Sequence, residues 1–341
     1  MTKIAINGFG RIGRNLFRLL LNHPEIEVVA INDIADNKTM AHLIKYDSIH
    51  GILDLDCSFD DNSIIVGGKS YPFFHEKNIS NLDWTRAAGE PSGAKSAGVD
   101  VVVESTGKYK TFDEINAHIL AGAKKVILSA PSETDRIKTV VLGVNENILD
   151  GTETIISNAS CTTNNAAPMI KIINELCGIE QAYITTVHSY TTDQSLHDQP
   201  HRDLRRARAA SQSIVPTTTG AAKALTKIFP EMEGKIGGSG IRVPVPDGSL
   251  TDITCYVKRE VSISEINDAF KSASENELKN ILAYTEDPIV SVDIIGNRNS
   301  CLFDSQLTSV IGKMVKVVGW YDNEIGYSSR IIDLIVLTSK K

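Results

Sequence analysis

The sequence predicts an α/β protein in which an N-terminal parallel-sheet domain is followed by an α+β domain with a mixed or antiparallel sheet. Three observations lead to this fold class. The chain has 341 residues, which is enough for about two domains. Its first half alternates short apolar runs with helical stretches, the pattern of a parallel sheet with crossover helices. Its second half keeps the strand-like runs, but fewer helices and longer loops separate them.

The first half begins with a strand, a helix and a second strand. Ile12, Leu16 and Leu20 fall on one face of a helix predicted over residues 11–22. Strands are predicted at residues 3–7, 27–31, 99–103, 125–128 and 140–142. The run at 99–103 is almost entirely valine, which is typical of a strand buried on both faces of its sheet.

The second domain is predicted to begin near residues 157–161. Its strands are predicted at residues 184–187, 241–245, 253–257, 289–295 and 314–320. Helical patterns cover residues 166–176 and Ala221–Ile228. The final stretch, 323–341, is helical in part, and we expect it to pack back on the first domain.

The composition is that of an acidic protein with unpaired cysteines. Lysine and arginine total 35 and aspartate and glutamate total 42, which argues against a general binder of nucleic acids or anionic membranes. Five cysteines without a C-x-x-C pair favour a reducing compartment and show no zinc spacing. The chain has no apolar run of ~18 residues and no secretory signal. We therefore expect a cytoplasmic location and no metal, membrane or nucleic-acid partner.

A glycine-rich segment follows the first strand and opens the first helix. It is a G-x-G-x-x-G sequence formed by Gly8, Gly10 and Gly13, with Arg11 and Ile12 between them. In this position the first glycine allows a tight turn, the second lets a pyrophosphate approach the backbone, and the third lets helix and strand pack closely. The phosphates would lie at the positive end of the helix. The segment predicts a Rossmann-type dinucleotide-binding domain; a plain tight turn is the alternative.

An acidic residue at the end of the second strand indicates which dinucleotide is bound. Asp33 lies twenty residues after Gly13, where its carboxylate can accept hydrogen bonds from a ribose 2′-hydroxyl. It would repel a 2′-phosphate, and Ile34 supplies no compensating cation. We therefore expect NAD rather than NADP.

Cys161 is the candidate nucleophile. It follows a predicted strand end and precedes a helical pattern, so that a helix dipole would stabilise its thiolate. The other cysteines, Cys57, Cys177, Cys255 and Cys301, are interpreted as small buried hydrophobic residues. His188 ends the strand at 184–187 and precedes a polar loop, a usual place for a catalytic residue. Its spacing alone does not show that it meets Cys161, and a structural histidine remains the alternative.

Three segments in the second half suggest sites for phosphate. Residues 203–208 form a cationic cluster that includes Arg206. Thr217 to Thr219 and Gly220 lead into a helix whose N-terminus can hold an anion. Arg242 lies among apolar neighbours in a strand, which usually implies an anionic partner. A solvated surface and an ordinary helix cap are the alternatives for the first two.

Five longer segments point to one family. They are ESTGKY at 104–109, SNASCTTN at 157–164, TTVHSYT at 185–191, DLRRARAASQSIVPTTTGAAKA at 203–224 and WYDNEIGYS at 320–328. Together they resemble the phosphorylating glyceraldehyde-3-phosphate dehydrogenases, and the resemblance runs from residue 3 to about residue 333. It implies that the Cys161 thiolate attacks an aldehyde, that a hydride passes to NAD to leave a thioester, and that inorganic phosphate releases an acyl phosphate. His188 matches the base.

The resemblance also implies further site residues. Glyceraldehyde 3-phosphate would place its own phosphate at Thr191 and Arg242, and inorganic phosphate would bind at Ser160, Thr162, Arg206, Thr219 and Gly220. Cofactor contacts fall at Arg11, Ile12, Asp33, Thr106, Ser129, Asn323 and Tyr327, with Asn323 on the nicotinamide carboxamide. The family is typically a homotetramer. The resemblance divides the chain into residues 1–160 and 323–341 for NAD and residues 161–322 for catalysis.

The chain departs from the family pattern at several positions. Asn165 replaces a cysteine that many members carry four residues after the nucleophile, so a redox role for such a pair is absent. Lys77 stands at the adenine pocket where arginine is common, and lysine lacks the planar fork of arginine. Gln199 replaces an apolar residue beside Pro200. Residues 87–98 resemble an insertion, which we interpret as a tolerated surface loop.

The sequence leaves three alternative functions open. The related erythrose-4-phosphate dehydrogenases share the cysteine motif, although Thr191 argues against them. A binding protein with vestigial catalysis, for example for RNA or a host surface, would not need the complete catalytic set. A cysteine hydrolase would leave the dinucleotide motif unexplained.

Overall fold

The computed structural model describes residues 1–87 and 98–340, so most of the predicted insertion lies outside the described residues. The chain divides into two units. The first contains Met1–Val140, Asn147–Ala159 and Ser328–Lys341, and the second contains Val141–Glu146 and Ser160–Tyr327. Within the described residues, no helix is both long and apolar enough to span a membrane.

The helices and strands of the first unit alternate along the chain. They are β1 (Thr2–Asn7), α1 (Arg11–Leu20), β2 (Ile26–Asn32), α2 (Asn37–Lys45), β3 (Tyr46–Asp47), β4 (Gly51–Ile52), β5 (Cys57–Phe59), β6 (Ser63–Val66), β7 (Lys69–Phe74), α3 (Trp84–Ala87), β8 (Val99–Glu104), α4 (Phe112–Leu120), β9 (Ala123–Leu128), β10 (Lys138–Thr139) and β11 (Ile155–Ser157).

The first unit is built on a sheet that is parallel over most of its width. Among the described residues its order is β10-β11-β9-β8-β1-β2-β7-β6-β5. The pairs from β10 to β7 are parallel, whereas β7, β6 and β5 form an antiparallel edge. Ile4 and Ile6 of β1 and the valines of β8 are buried in the core. The predicted Rossmann-type parallel sheet is therefore confirmed.

One predicted strand of the first half is wrong. The strand lies at Lys138–Thr139 rather than at residues 140–142. Val140, Val141 and Leu142 are buried, as their apolar character requires, but the backbone turns there. Val144 donates its N–H to the carbonyl of Val141, and Gly143 has φ +79°, which a strand does not tolerate. Apolar character alone does not distinguish a buried turn from a buried strand.

The second unit begins with a long helix and continues with a sheet. Its elements are α5 (Cys161–Cys177), β12 (Ile179–Ser189), β13 (Val215–Thr217), α6 (Ala221–Ile228), β14 (Ile236–Val243), β15 (Ser249–Val257), α7 (Ile263–Glu275), β16 (Leu282–Thr285), β17 (Cys301–Asp304), β18 (Ser309–Ile311), β19 (Met314–Tyr321) and the start of α8 (Ile325–Ser339).

The sheet of the second unit is mixed, as predicted. Its order in the described chain is β13-β14-β12-β15-β19-β17-β16, and β18 pairs with β19. The pairs β12–β14 and β16–β17 are parallel, and the other pairs are antiparallel. This register sets His188 of β12 beside Arg242 of β14.

The strand predicted at 289–295 is also wrong, because the segment contains a 3₁₀ helix at Ser291–Ile294. Ile294 is buried, but Val290 and Val292 are exposed. The Asp293 carboxylate accepts the Val290 N–H at 2.8 Å, which stabilises the helical turn. A local cap therefore overrides an apolar run that is typical of a strand.

A short segment differs from the predicted domain division. Residues Val141–Glu146 group with the second unit, whereas the sequence prediction assigns them to the first domain. Lys171 of α5 donates to the Gly143 carbonyl at 2.8 Å. A Cβ at Gly143 would lie 2.6 Å from the Leu278 side chain and 2.9 Å from that of Ile281. These contacts bind the segment to helices and loops of the second unit.

Candidate active site

The glycine turn between β1 and α1 packs tightly against its own unit. Gly8 has φ +94°, and a Cβ there would lie 2.6 Å from the Thr106 backbone nitrogen. A Cβ at Gly13 would lie 2.2 Å from the Gly8 carbonyl oxygen. Both positions therefore exclude any side chain. Gly10 differs, because no described atom lies within 4 Å of a Cβ placed there. The backbone at Gly10 is open to a ligand.

The start of α1 also fits an anionic ligand. No side chain of the described residues caps this helix at Gly10, so the positive end of the helix dipole faces the open side of the turn. Arg11, the first residue of α1, forms an ion pair with Asp47, with a nitrogen–oxygen distance of 2.5 Å. Burial opposes the ionisation of Asp47, but hydrogen bonds from Arg11 and two backbone N–H groups lower its pKa to about 2. The Arg11 side chain is thus held in place by its ion pair with Asp47.

Asp33 is held at the end of β2 by two backbone donors. One carboxylate oxygen accepts the Phe9 N–H at 2.6 Å, and the other accepts the Ala35 N–H at 3.0 Å. Each carboxylate oxygen can accept a second hydrogen bond, so a ribose hydroxyl remains a possible partner. Ile34 is 73% exposed beside it and carries no charge.

A groove of about 380 Å³ lies at the carboxyl ends of the parallel strands β1, β2 and β8. Five residues predicted as cofactor contacts line it: Gly8, Gly10, Asp33, Lys77 and Thr106. The other lining residues are Asn7, Asn32, Ile34, Glu76, Ile79, Ser105, Lys108 and Tyr109. Open α/β sheets bind dinucleotides at this edge. A larger cavity of about 710 Å³ lies at the opposite edge, against Thr2, Asp100 and Lys124 at the amino ends of their strands.

The remaining predicted cofactor residues of the first unit lie outside this groove lining. Ile12 is half-buried within α1. Ser129 follows β9 and donates its backbone N–H to the Glu104 carbonyl at 2.9 Å. Both residues thus belong to elements that flank the groove.

A buried polar network lies beneath the groove and was missed in the sequence. The Glu104 carboxylate accepts hydrogen bonds from Asn7 at 2.5 Å and from the backbone N–H of Thr106 at 2.9 Å. His118 Nε2 lies 3.0 Å from Glu104, and its Nδ1 accepts the indole N–H of Trp84 at 3.1 Å. The network fixes Asn7 and Thr106, which line the groove. Glu104 is the first residue of the ESTGKY segment, but His118 and Trp84 join it only through the fold.

Cys161 is the first residue of α5, and Ser160 caps that helix. The Ser160 hydroxyl accepts the Thr163 N–H at 3.1 Å. The Cys161 sulfur lies 3.4 Å from Nε2 of His188, which ends the strand segment predicted at 184–187. The second unit therefore brings together the two residues that the sequence could not show to meet.

Arg242 lies on the other side of the His188 ring. Its guanidinium is 2.7 Å from His188 Nδ1, and it donates to the Ser189 carbonyl at 2.9 Å. Burial and then the positive charge of Arg242 lower the pKa of His188 to about 3. The imidazole is consequently neutral at pH 7 and able to accept a proton.

Burial also opposes the ionisation of the Cys161 thiol. Burial raises the pKa of Cys161, while the Arg242 charge and hydrogen bonds from Thr162 act in the opposite direction. Burial outweighs the stabilisation that we expected from the start of the helix. A thiol whose proton passes to a base in direct contact is a usual form of activated nucleophile.

The predicted phosphate residues of the second unit are arranged around loops and helix ends. Thr191 follows β12, and its carbonyl accepts the Gln194 N–H at 2.8 Å. Arg206 is ion-paired with Asp193 and donates to Thr217 at 3.1 Å. This pairing shows that the cationic cluster is partly neutralised by its own loop.

The segment before α6 completes this arrangement. The Thr219 hydroxyl accepts the Ala221 N–H at 3.2 Å, and Gly220 precedes the helix with no described atom within 4 Å of a Cβ. Space therefore surrounds the start of α6.

Asn323 and Tyr327 are both buried in the second unit. Asn323 Oδ1 accepts hydrogen bonds from the hydroxyls of Ser189 at 2.9 Å and Ser249 at 2.7 Å. The amide of Asn323 is thus oriented by the strand that carries His188. Ser249 gave no indication of this role in the sequence.

The other cysteines are free thiols. Cys177, Cys255 and Cys301 are buried, as predicted, and burial raises the pKa of Cys255 to about 12. Cys57 is half-buried, because it lies on the edge strand β5. Asn165 is buried and donates to the carbonyls of Ser300 and Trp320.

The groove of the first unit defines a dinucleotide-binding class of protein, and the Cys161–His188 contact of the second unit fits cysteine chemistry. The model of the glyceraldehyde 3-phosphate dehydrogenase NAD-binding domain matches residues 2–112, and the model of its C-terminal domain matches residues 160–323. Glyceraldehyde-3-phosphate dehydrogenase from Geobacillus stearothermophilus is 51% identical over 99% of this chain and 98% of its own. Those from Bacillus subtilis and Mycobacterium avium are 49% and 52% identical over the same shares. The chain belongs to the glyceraldehyde-3-phosphate dehydrogenase family and is an NAD-dependent oxidoreductase.

Proposed function

We propose that this chain oxidises glyceraldehyde 3-phosphate with NAD and inorganic phosphate to 1,3-bisphosphoglycerate, in glycolysis or gluconeogenesis. One observation carries the proposal: the Cys161 sulfur lies 3.4 Å from Nε2 of His188. An aldehyde dehydrogenase of this kind needs a nucleophilic sulfur with a base in direct contact. The names of the relatives support the substrate.

The proposed reaction uses Cys161 and His188 in turn. His188 accepts the thiol proton as the sulfur attacks the aldehyde carbon, which gives a hemithioacetal on Cys161. Loss of a hydride from that carbon leaves a thioester, and NAD, when bound, supplies the hydride acceptor. Inorganic phosphate then attacks the thioester carbonyl, the carbon–sulfur bond breaks, and the thiolate is restored. The contact between His188 Nε2 and the Cys161 sulfur, at 3.4 Å, supports this role because the proton can pass directly from the thiol to the imidazole.

Two anion positions complete the proposed catalytic site. Arg242 and Thr191 would bind the phosphate of the substrate. Arg242 is suited to this because its half-buried guanidinium also contacts the His188 ring, 2.7 Å away. Inorganic phosphate would bind at Ser160, Thr162, Arg206, Thr219 and Gly220, where the starts of α5 and α6 favour negative charge.

The residues of the first unit fit NAD. The open backbone at Gly10 and the uncapped described end of α1 suit a pyrophosphate, and Asp33 suits a ribose hydroxyl. Lys77 and Thr106 line the same groove. Asn323 and Tyr327 would hold the nicotinamide. Arg11, Ile12 and Ser129 would act from the flanks of the groove.

The proposal extends to assembly and location. By similarity to the family, the chain would form a homotetramer in the cytoplasm, with an NAD-binding domain of residues 1–160 and 323–341 and a catalytic domain of residues 161–322. Sedimentation of the purified protein measures the assembly directly, and a tetramer mass is expected.

A rate comparison between two aldehydes tests the proposed function. NADH formation is measured with glyceraldehyde 3-phosphate and with erythrose 4-phosphate at equal enzyme, each with and without inorganic phosphate. We expect faster sustained turnover of glyceraldehyde 3-phosphate and dependence of that turnover on phosphate. Faster turnover of erythrose 4-phosphate would assign the chain to the related dehydrogenases instead.

A further inference from the structure

The network beneath the groove of the first unit contains two buried ionisable side chains, Glu104 and His118. Glu104 is 1% exposed and His118 is fully buried. The proposed reaction uses neither of them. Burying a carboxylate and an imidazole is costly unless their polar atoms are hydrogen-bonded, so the arrangement of these hydrogen bonds indicates what the pair does.

Trp84 determines which nitrogen of His118 carries the proton. An indole nitrogen can only donate a hydrogen bond, and Trp84 Nε1 lies 3.1 Å from His118 Nδ1. Because Nδ1 accepts this hydrogen bond, the proton of the imidazole lies on Nε2. Nε2 is 3.0 Å from Glu104 Oε2 and donates to it. The direction of the hydrogen bonds is therefore fixed from the indole to the carboxylate.

The Glu104 carboxylate accepts hydrogen bonds at both of its oxygens. Oε2 accepts from Asn7 Nδ2, at 2.5 Å, as well as from His118. Oε1 accepts from the Thr106 backbone N–H at 2.9 Å and from the Thr106 hydroxyl. A carboxylate has about four positions at which it can accept, and donors occupy all of them. The Thr106 hydroxyl proton is thus directed into the protein and not into the groove.

The same direction continues along the groove lining. Because the Asn7 amide nitrogen is bonded to Glu104, its oxygen faces Asn32 and accepts from Asn32 Nδ2 at 2.7 Å. The Asn32 oxygen accepts the Glu76 N–H at 2.8 Å, and its nitrogen donates to the Glu76 carbonyl at 2.9 Å. Asn7, Asn32, Glu76 and Thr106 all line the groove. Their polar atoms are therefore oriented from the buried side.

We propose that Glu104 and His118 are positioning residues for the dinucleotide. The Glu104 carboxylate orients Asn7 and Thr106, and the imidazole, aligned by the indole N–H, holds that carboxylate in place. The groove lining is thus ordered before the ligand arrives, so that binding does not have to supply the free energy of ordering it. The inference rests on the proposed function only in that NAD binds in this groove.

Glu104→Gln tests the direction of the hydrogen bonds at almost constant side-chain volume. Whichever way the glutamine amide turns, its donating nitrogen faces other donors: Asn7 and His118 on one side, the Thr106 N–H on the other. NAD and ADP-ribose, which lacks the nicotinamide, are titrated into the full-length protein in a calorimeter. We expect both Kd values to rise by about five- to twentyfold, because the donors of the groove lining lose their acceptor.

A second substitution distinguishes positioning from stability. Trp84→Phe removes the indole N–H, so the His118 proton can move to Nδ1. Nε2, which lies 3.4 Å from Asn7 Nδ2, then becomes an acceptor. Added to Glu104→Gln, Trp84→Phe should lower the Kd of ADP-ribose by about threefold, although the loss of a buried indole lowers the free energy of unfolding in urea. A network with only a structural role would lose affinity and stability together.

Substitutions of His118 give a test that leaves Glu104 in place. In His118→Gln the amide can accept from Trp84 and donate to Glu104, so the Kd of ADP-ribose should stay within about twofold of wild type. His118→Leu removes both functions at similar volume, and the Kd should rise by about three- to tenfold.

Two controls make the measurement specific. Glu133→Gln, at an exposed glutamate of the same unit, should leave the Kd of ADP-ribose unchanged. The alkylation rate of Cys161, in the second unit, should be the same in every variant and shows that the variants are folded.

Two outcomes would overturn the inference. One is an unchanged Kd of ADP-ribose in both Glu104→Gln and His118→Leu. The other is a further loss of affinity, instead of a recovery, when Trp84→Phe is added to Glu104→Gln. If the affinities change as expected but glyceraldehyde 3-phosphate is not oxidised, the proposed function fails while the inference about the groove stands.

Discussion

At the scale of single residues, the proposed catalysis depends on a half-buried thiol and a buried imidazole, and burial opposes the charged form of each. Burial raises the pKa of Cys161 and lowers that of His188, and Arg242 contributes to both environments. An imidazole with a pKa of about 3 is a weak base in isolation. It becomes effective because it contacts the sulfur directly, and because a negative sulfur would stabilise the imidazolium beside it.

Replacement of His188 tests this division of roles. His188→Asn removes the proton acceptor while it keeps a polar side chain of similar size. We expect kcat for NADH formation to fall by about 10²–10⁴-fold, the usual contribution of general base catalysis. NAD affinity, measured by fluorescence titration, should stay within a factor of a few. An activity close to that of wild type would remove His188 from the mechanism.

Asp33 should control the choice between NAD and NADP. Asp33→Ala removes the acceptor for the ribose hydroxyl and the charge that repels a 2′-phosphate. The ratio of kcat/KM for NAD over NADP should fall by about tenfold or more, since a hydrogen bond to a charged group contributes ~1.5–3 kcal/mol. Asp54→Ala, at an exposed position of the same unit, should leave the ratio unchanged. An unchanged ratio in Asp33→Ala would place the specificity elsewhere.

The ionisation of Asp247 should make the folded protein less stable as the pH rises. Burial and then the negative charge of Asp322 raise the pKa of Asp247 to about 8. The unfolded chain releases this proton near ~3.9, so the folded state holds a proton that the unfolded state lacks between these values. Stability is therefore lost as the pH rises through this interval.

Asparagine at position 247 keeps a donor for Asp322 and cannot ionise. We expect Asp247→Asn to raise Tm at pH 8 by about 2–4 °C or more, equivalent to ~1 kcal/mol, and to have little effect at pH 4. Scanning calorimetry at both values measures this. Asp61→Asn, at an exposed site, serves as the control. An equal gain at both pH values would show that Asp247 is ionised in the folded protein.

At the scale of elements, sequence patterns predicted the turns and helices whose residues are adjacent in the chain. The turn from β1 through Gly8 to α1 was predicted because its glycines, strand and helix are adjacent in the chain. The helix Ala221–Ile228 was predicted to the residue. In contrast, the strands predicted at 140–142 and 289–295 were wrong. The first segment is followed by a residue with positive φ, and in the second a side-chain cap stabilises a helical turn.

Substitutions at the second and third glycines of the turn, Gly10 and Gly13, should have different effects on stability and on cofactor binding. Gly13→Ala places a Cβ 2.2 Å from the Gly8 carbonyl oxygen, and backbone cannot move aside as a side chain could. We expect a loss of about 1–3 kcal/mol in the free energy of unfolding, measured in urea. Gly10→Ala meets open space, so its stability should be close to that of wild type while NAD affinity falls. Equal stabilities for the two variants would contradict this assignment of the turn.

The sequence could not place the hydrogen bonds of the Tyr321 hydroxyl or the network under the groove. Tyr321, Thr162 and Thr186 meet because β19, α5 and β12 pack together, not because they are close in the chain. The same holds for Glu104, His118 and Trp84. Side-chain networks that join distant elements depend on register and packing, which residue spacing does not determine. The Cys161–His188 contact is of this kind, and the sequence supported it only through resemblance to a family.

At the scale of the whole molecule, the two units hold different parts of the proposed chemistry. The first supplies a groove at the carboxyl edge of a parallel sheet, and the second supplies the thiol, the imidazole and Arg242. The last helix begins in the second unit and continues in the first from Ser328. The net charge of −7 conceals the local cations of the second unit, where Arg206 and Arg242 lie. Relatives with about half of their residues identical cover the same two parts.

The central claim is that oxidation proceeds through a thioester on Cys161, and a single-turnover experiment tests it most directly. The enzyme is mixed with glyceraldehyde 3-phosphate and NAD without phosphate, NADH is followed by absorbance, and the quenched protein is mapped by mass spectrometry. We expect a burst of about one NADH per chain, an acyl adduct on the peptide that contains Cys161, and neither in Cys161→Ala. A burst that survives in Cys161→Ala, or an adduct on another cysteine, would contradict it.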